Sequence, residues 1–308
     1  MDFALDDEQQ LIVQTVRRFV DRDVRTWAAD ADRAALAPER LAAVAGEMGF
    51  YLDAVPADRD GLLDGAYAHL TRALRGFELG RGCAAMAALL ETNVEPALAV
   101  GRWGSAAAKD ALYASLTGGG LATTGRDFRG ALAITPDGGA GGLRITGKIG
   151  PLPALAIASH ILLVAQVGDE PVVALVPCDQ GERAIGAPSA WRAAAWASLR
   201  CDGLHVPAEL VLARGAAATA ATVEILAWYR ASLAARAAGV ATAAMEHADQ
   251  YARDRVQFGQ PIGAFEALIR LRDDAETGAS VARLAALHAA WAIDRAKDSA
   301  ALAIAADH

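Results

Sequence analysis

Residues 251–265 read Tyr-Ala-Arg-Asp-Arg-Val-Gln-Phe-Gly-Gln-Pro-Ile-Gly-Ala-Phe. A helical pattern ends here in a cationic, amide-bearing tip, and the glycines and proline at 259–263 favour a turn that a ligand can approach closely. Arg255 offers a planar set of donors suited to a pyrophosphate, and Gln257 can hydrogen-bond beside it. An ordinary helix C-terminus remains the alternative, because a basic residue there also complements the helix dipole.

Helical periodicity surrounds this stretch on both sides. It predicts two long helices, at about 220–253 and 264–297, separated by the glycine and proline residues. At the other end of the chain, apolar residues recur at steps of three and four behind an acidic start, and they predict an amphipathic helix facing a core. Those residues are Leu11, Ile12, Val16, Phe19, Val20, Val24 and Trp27.

Between these helical regions, beginning at Gly118-Gly119-Gly120, the helical periodicity gives way to short apolar runs bounded by glycine and proline. Residues 161–165 and 172–176 have the length and composition of buried strands. The glycine cluster at 138–142 predicts a hairpin turn between residues 131–134 and Leu143. We therefore predict a helical domain at 1–117, a middle β domain at 118–215 and a C-terminal helical bundle at 216–308.

Composition excludes several classes of partner. The net charge of −8, without any block of Lys or Arg, leaves little to neutralise a nucleic acid backbone. The most apolar stretch, residues 152–167, is shorter than the roughly 20 residues that a membrane span needs. The acidic amino terminus is unlike a signal peptide, so we expect a cytoplasmic protein without a membrane or nucleic acid partner.

Metal and disulfide sites are not expected either. Cys83, Cys178 and Cys201 are odd in number and far apart, which indicates reduced packing residues. The six histidines form no short-range ligand pair, and none is assigned a function. A Walker loop and a Gly-x-Gly-x-x-Gly motif between a strand and a helix are also absent, which disfavours the familiar nucleotide folds.

The pattern Tyr-Ala-x-x-Arg-x-Gln-Phe-Gly-x-Pro-Ile-x-x-Phe at 251–265 resembles the flavin-contacting signature of the acyl-CoA dehydrogenase family. Other stretches match that family in order: Asp6-Asp-Glu-Gln9, Glu47-Met-Gly-Phe50, Gly203-Leu-His-Val-Pro-Ala-Glu-Leu210 and Ala238-Gly239. The resemblance implies a mainly α fold with a small β domain. It has an N-terminal α domain, a middle β-barrel-like domain and a C-terminal helical bundle, which is truncated here.

The resemblance also implies a cofactor and a reaction. In this family a glutamate removes the α-proton of an acyl-CoA thioester while the β-hydrogen leaves as hydride to FAD, which lies between two subunits. Carried over to this chain, Arg255, Gln257, Phe258 and Gly259 hold the diphosphate end of an FAD whose ring rests on a partner subunit. One such charged contact contributes about 1.5–3 kcal/mol.

The β domain departs from the family pattern where the flavin ring is held. A Thr-Glu-Pro-Gly-x-Gly-Ser-Asp loop and a Trp-Ile-Thr stretch are usual, whereas residues 123–128 read Thr-Thr-Gly-Arg-Asp-Phe and 148–152 read Lys-Ile-Gly-Pro-Leu. Gly150 replaces the aromatic wall, and Leu152 replaces a hydrogen-bonding threonine. We therefore expect the chain's own ring site to be dismantled.

No catalytic residue is assigned in this chain. Most family members place the glutamate base well beyond the 251–265 motif, past His308, and others place it at the position of Tyr229, where a phenol is a weak base at neutral pH. Glu224 and Glu246 are predicted to be solvated helix positions.

Short members without a base resemble the smaller subunit of heteromeric (α₂β₂) bacterial acyl-CoA dehydrogenases, known from steroid degradation. The partner is then a full-length subunit. On the last predicted helix, an apolar stripe at Val281, Leu284, His288 and Trp291 also requires a covering chain. The alternatives are a self-sufficient homomeric acyl-CoA dehydrogenase with an unusual base and a non-catalytic acyl-CoA-binding or scaffold protein.

Overall fold

A computed structural model describes residues 4–33, 38–138, 141–186 and 189–296. Helix accounts for about 56% of the structure and strand for about 23%, which confirms a mainly α fold with a smaller β part. The chain divides into two compact units. We call Met1–Ala28, Ala68–Ala87 and Trp228–His308 the helical unit, and Ala29–Tyr67 and Ala88–Ala227 the sheet unit.

The helices follow the predicted order, before and after a run of strands. They are α1 Asp7–Phe19, α2 Arg25–Asp32, α3 Pro38–Glu47, α4 His69–Gly82, α5 Ala84–Leu90, α6 Val94–Trp103, α7 Ala106–Thr117, α8 Gly215–Asp254 and α9 Glu266–Arg295. A π-helical turn, Val20–Val24, joins α1 to α2. The helix predicted at 264–297 thus begins and ends close to its expected bounds, although residue 297 lies outside the described part.

Helix α1 begins with a capping box. The Asp6 side chain accepts a hydrogen bond from the Gln9 amide at 2.8 Å, and the Gln9 side chain accepts one from the Asp6 amide at 3.3 Å. Val16 and Phe19 are buried in α1, and Val20 and Val24 are buried in the turn that follows, as the amphipathic prediction expects, whereas Leu11 is 60% exposed.

Helices α4 and α8 touch through their backbones in the helical unit. A Cβ atom added to Gly80 would lie 2.3 Å from the Arg236 carbonyl oxygen, and one added to Gly239 would lie 2.1 Å from the Phe77 carbonyl oxygen. Only glycine permits this approach. The close crossing gives a structural reason for the Ala238-Gly239 pattern.

The N-terminus of α4 is capped from a distance. Ala68, at the cap position, has no side chain that could accept a hydrogen bond, and the Asp294 carboxylate of α9 accepts from the amides of His69 at 2.7 Å and Leu70 at 2.9 Å. Burial raises the pKa of Asp294, and the two backbone donors partly oppose that rise. Asp294 thus links the C-terminal end of α9 to the N-terminal end of α4.

The sheet unit contains two four-stranded sheets. Their strands are β1 Leu121–Arg126, β2 Ala133–Asp137, β3 Gly142–Leu152, β4 Ala158–Val167, β5 Glu170–Pro177, β6 Glu182–Ile185, β7 Ala197–Val206 and β8 Val211–Arg214. One sheet has the order β1-β4-β5-β8, with β1 parallel to β4, and the other is antiparallel with the order β2-β3-β7-β6. Both sheets are open, so the middle region consists of two open sheets where a barrel-like form was expected.

The predicted strands lie where the apolar runs placed them. Residues 161–165 fall in β4 and 172–176 in β5, and the two strands pair with Ile161 opposite Val176. β2 and β3 form the predicted hairpin, with Ile134 opposite Ile145. Residues 139–140 of its turn lie outside the described residues. The division into domains at 117 and 215 stays a prediction, although α7 ends at Thr117 and α8 begins at Gly215.

Candidate cofactor site

The segment after α8 forms a tight β-hairpin. Strands β9 Val256–Gln257 and β10 Gln260–Pro261 pair with Gln257 opposite Gln260, and Phe258 and Gly259 make the two-residue turn. Both turn residues have positive φ, 52° for Phe258 and 81° for Gly259. Glycine adopts this conformation readily, whereas a bulky aromatic residue adopts it at a cost, as residues at functional sites often do. The sequence predicted a turn here but not a hairpin with Phe258 at its tip.

The hairpin brings the four predicted cofactor residues together and exposes all of them. The Phe258 ring is 94% exposed. The Arg255 backbone is fixed at the base of the hairpin, because its amide donates to the Tyr251 carbonyl at 2.9 Å and its carbonyl accepts from the Ile262 amide at 2.8 Å. Within the described residues its guanidinium has no hydrogen bond or ion pair. Arg255 is therefore rigidly mounted with its donors available, and its cofactor role stays a prediction.

The two β-domain segments that depart from the family pattern line one cavity of about 370 Å³, here called the ring-end cavity. It is lined by Arg126, Asp127, Phe128, Arg129, Ala131, Leu132, Lys148, Ile149, Gly150, Pro151, Leu152 and Leu163. The Asp127 carboxylate accepts hydrogen bonds from the Ala131 amide at 3.0 Å and the Leu132 amide at 2.7 Å, which holds one wall in place. Sequence reasoning missed Arg129 in this wall, because only the placement of β3 beside the loop that follows β1 brings Arg129 to residues 148–152.

The backbone at Gly150 does not suit an aromatic wall. Its φ is +96°, and a Cβ atom there would lie 2.9 Å from the Leu152 nitrogen and 3.1 Å from the Ala197 carbonyl oxygen. The Leu152 side chain also packs against β1, with its Cδ1 atom 3.0 Å from the position of a Cβ atom on Gly125. A flavin ring in this cavity would therefore lack both the aromatic wall, which Gly150 replaces, and the threonine hydroxyl, which Leu152 replaces. One feature fits a ring: the Thr124 hydroxyl is buried without a hydrogen-bond partner among the described residues.

The fit to FAD thus differs between the two ends of the cofactor. Arg255 fits the diphosphate end, since its guanidinium has no hydrogen bond within the described residues and its backbone is held in the hairpin. The Gln257 side-chain amide already donates to the Val256 carbonyl at 2.7 Å, so one of its two N–H groups is left for a ligand. Gly150 and Leu152 do not fit the ring end, since they supply neither stacking area nor a hydrogen bond.

The prediction of a solvated position was wrong for Glu224, whereas Glu246 is exposed as predicted. Glu224 is buried on α8, and its carboxylate lies 3.0 Å from Arg102 Nε of α6. Burial raises the pKa of Glu224, and Arg102 partly opposes that rise. Glu246 is partly exposed but ion-paired, with Arg81 at 2.7 Å and Arg25 at 2.9 Å. Partners more than a hundred residues away explain why the helical pattern alone missed both pairs.

Tyr229 is half-buried on α8 and stands where some relatives of the resembled family carry a base. Across the described residues, no group of histidine, cysteine, aspartate or glutamate side chains has the arrangement of a metal site. None of the described helices is long and apolar enough to cross a membrane. Cys83, Cys178 and Cys201 are free, and the latter two are buried, as predicted for packing residues.

Two family models match the chain. The acyl-CoA dehydrogenase N-terminal domain matches residues 6–120, and the acyl-CoA dehydrogenase C-terminal domain matches residues 218–306. Among curated proteins, benzylmalonyl-CoA dehydrogenase of Aromatoleum aromaticum is 30% identical over 307 residues, which cover 96% of this chain and 81% of that protein.

Solved structures share the fold. A glutaryl-coenzyme A dehydrogenase in complex with glutaryl-CoA has a TM-score of 0.84 at 24% identity, covering 99% of this chain and 83% of that one. A glutaryl-CoA dehydrogenase from Mycobacterium smegmatis in complex with FADH2 has a TM-score of 0.80 at 20% identity, covering 98% and 80%. FAD is the cofactor that these relationships support. With both domain models and a relative at 30% identity over nearly its whole length, the chain belongs to the acyl-CoA dehydrogenase family.

Proposed function

We propose that this chain is a subunit of an FAD-dependent acyl-CoA dehydrogenase that introduces an α,β double bond into an acyl-CoA thioester. Its hairpin contributes Arg255, Gln257, Phe258 and Gly259 to the flavin site of a full-length partner subunit. The cofactor supplies the hydride acceptor, and the partner supplies the surface for the ring and the base. The acyl-CoA substrate follows from family membership and from relatives such as benzylmalonyl-CoA dehydrogenase.

The observation that carries this proposal is the contrast between the two ends of the cofactor. The hairpin keeps an unpaired guanidinium within the described residues and a strained, 94% exposed Phe258. The Phe258 ring contacts the Phe265 ring edge-on, with 6.3 Å between their centroids, and is otherwise in solvent, which favours a role against another molecule. The ring-end cavity, by contrast, has a backbone at Gly150 that excludes an aromatic wall.

The absence of a suitable base at two helix positions supports dependence on a partner. Tyr229 is a weak proton acceptor, and the buried Glu224 is already engaged by Arg102. Helix α9 gives further support, because Val281 is 60% exposed and Leu284 is 56% exposed on the predicted stripe. Exposed apolar residues at this spacing suit a helix that another chain covers.

Mixing this chain with a full-length family member from the same source tests the proposal. Size-exclusion chromatography should show a heteromer, and acyl-CoA oxidation should exceed that of this chain alone at least about 100-fold, the size of a general-base contribution. Full activity of this chain alone would overturn the proposal. A heteromer that binds acyl-CoA but gains no activity would support a scaffold protein instead.

A self-sufficient homomeric dehydrogenase is the second candidate, and the unpartnered Thr124 hydroxyl favours it among the described residues. This hydroxyl could donate to a polar edge of a flavin ring bound to the same chain. A yellow colour of the protein purified alone would support this candidate. The three free cysteines suit a reducing compartment, and we propose the cytoplasm for either candidate.

A further inference from the structure

The ring-end cavity is a half-open cleft that does not suit a flavin ring. Its volume of about 370 Å³ falls within the range of small-ligand sites, which is roughly 300–1,000 Å³. Hydrogen bonds from the Ala131 and Leu132 amides to Asp127 hold its loop wall. The chemistry of the lining indicates which ligand the cavity suits.

The interior of the ring-end cavity is apolar. Leu132, Ile149 and Leu163 are buried, with 7%, 3% and 1% of their surface exposed, and all three line it. Leu152 adds a further apolar side chain where the family usually has a hydroxyl. Such a lining favours a ligand with an apolar body, because burying apolar surface contributes about 25 cal/mol per Å².

The mouth of the cavity is cationic. Arg126, Arg129 and Lys148 line it, and within the described residues Arg129 and Lys148 have no ion-pair partner. Asp127 is the one carboxylate in the lining, and both of its oxygens already accept backbone hydrogen bonds. Arg200 lies opposite Lys148 on β7, but Glu182 lies opposite Arg200 on β6, so Arg200 is not counted toward the charge of this mouth. The uncompensated charge therefore favours an anionic group on the ligand.

We propose that the ring-end cavity binds an organic anion with an apolar body, either a carboxylate or a phosphate monoester. The apolar body contacts Leu132, Ile149 and Leu163, and the anionic group lies at Arg129 and Lys148. This inference rests on the part of the proposed function that denies this chain a flavin ring of its own. It adds a ligand site that differs in chemistry from the flavin site.

Isothermal titration of the purified full chain with octanoate, octyl phosphate and octan-1-ol tests the inference. At least one of the two anions should bind about tenfold more tightly than the alcohol, and the tighter anion identifies the ligand class. Lys148→Gln and Arg129→Gln should each weaken anion binding about threefold to tenfold without changing the affinity for octan-1-ol. Lys109→Gln on α7 is the matched control and should change neither.

Equal affinity for the anions and the alcohol would overturn the inference, as would an equal loss in the Lys109→Gln variant. Melting temperatures of all variants show whether a loss of binding is a loss of folding, and Arg129→Gln stands alone if Lys148→Gln misfolds. Titration with FAD separates this inference from the proposed function. If FAD binds to the chain alone and displaces the anion, both fail, whereas absence of binding by anions and FAD sinks only the inference.

Discussion

The hairpin at 256–261 and the ring-end cavity correspond to opposite ends of FAD, the hairpin to the diphosphate of a cofactor whose ring rests on a partner subunit, and they differ in how well they suit it. The hairpin retains the donor residues and holds Arg255 by two backbone hydrogen bonds. The cavity has changed side chains and backbone together, since a Cβ atom at Gly150 would lie 2.9 Å from the Leu152 nitrogen. One substitution in the ring-end cavity would not restore a flavin-ring site, because the backbone itself is unsuitable. The hairpin, by contrast, keeps its donors in a fixed position where a bound cofactor can reach them.

Arg255→Ala should have the largest effect on FAD binding by the hairpin. The guanidinium is proposed to contact a cofactor phosphate, so its loss should weaken FAD binding in the heteromer about tenfold to 100-fold, from a charged contact of about 1.5–3 kcal/mol. The melting temperature should stay close to that of the unaltered heteromer because Arg255 is exposed. Fluorescence titration of FAD and thermal unfolding measure the two quantities on the same sample.

Arg253→Ala is the matched control for that experiment. Arg253 lies two residues before Arg255, in the last turn of α8, and pairs with Asp249 at 2.9 Å. It should leave FAD affinity unchanged. Wild-type flavin occupancy with early melting in Arg255→Ala would make Arg255 a structural residue and contradict the hairpin's role.

Asp294→Ala separates stability from flavin binding in the helical unit, which also carries the hairpin. Loss of the carboxylate leaves the His69 and Leu70 amides without their acceptor, which should cost about 1–2 kcal/mol of unfolding free energy. Asp294→Asn keeps an acceptor and should cost less. Urea unfolding of the three proteins measures these differences, and equal losses in both variants would show that capping is not the cause.

Glu246→Gln should have a smaller effect that depends on pH. Burial acts to raise the pKa of Glu246, but the hydrogen bonds from Arg81 and Arg25 outweigh it and lower the pKa. A lowered pKa in the folded state stabilises the protein above the unfolded value, about 4.3, and this contribution is lost as the pH falls through the folded value. The variant should be about 0.2–1 kcal/mol less stable at pH 7, and this difference should shrink as the pH falls below the unfolded value of about 4.3. A difference that does not change with pH would point to lost packing.

Tyr229→Phe should have the smallest effect. If neither region of this chain supplies the base, turnover of the heteromer should stay close to the parent value, because only a phenol hydroxyl is removed. Removal of a general base would lower turnover about 100- to 10,000-fold. Steady-state kinetics with an acyl-CoA substrate distinguish these results, and a loss of that size would place Tyr229 in the catalytic machinery.

Local patterns in the sequence predicted much of the fold. The apolar periodicity at Val16, Phe19 and Val20 and the apolar runs of β4 and β5 each report burial within a few residues, which composition can reveal. The parallel pairing of β1 with β4 could not be predicted, because nothing local fixes which distant strands become partners. The open form of both sheets could not be predicted for the same reason.

The candidate site was predicted less completely. The 251–265 motif identified Arg255 and Gln257, but the positive φ of Phe258 depends on hairpin geometry that a phenylalanine does not signal. Glu224 was misjudged because Arg102, its partner, lies 122 positions earlier. Substitutions at 150 and 152 were visible in the sequence, whereas the cavity that they line was not.

The most direct test of the central claim is the number of flavins per subunit. This chain, purified alone after incubation with excess FAD, should retain none by absorbance, because Gly150 and Leu152 do not support a ring. The heteromer with a full-length family member should retain fewer flavins than it has subunits. A yellow homo-oligomer of this chain with one flavin per subunit would contradict the account.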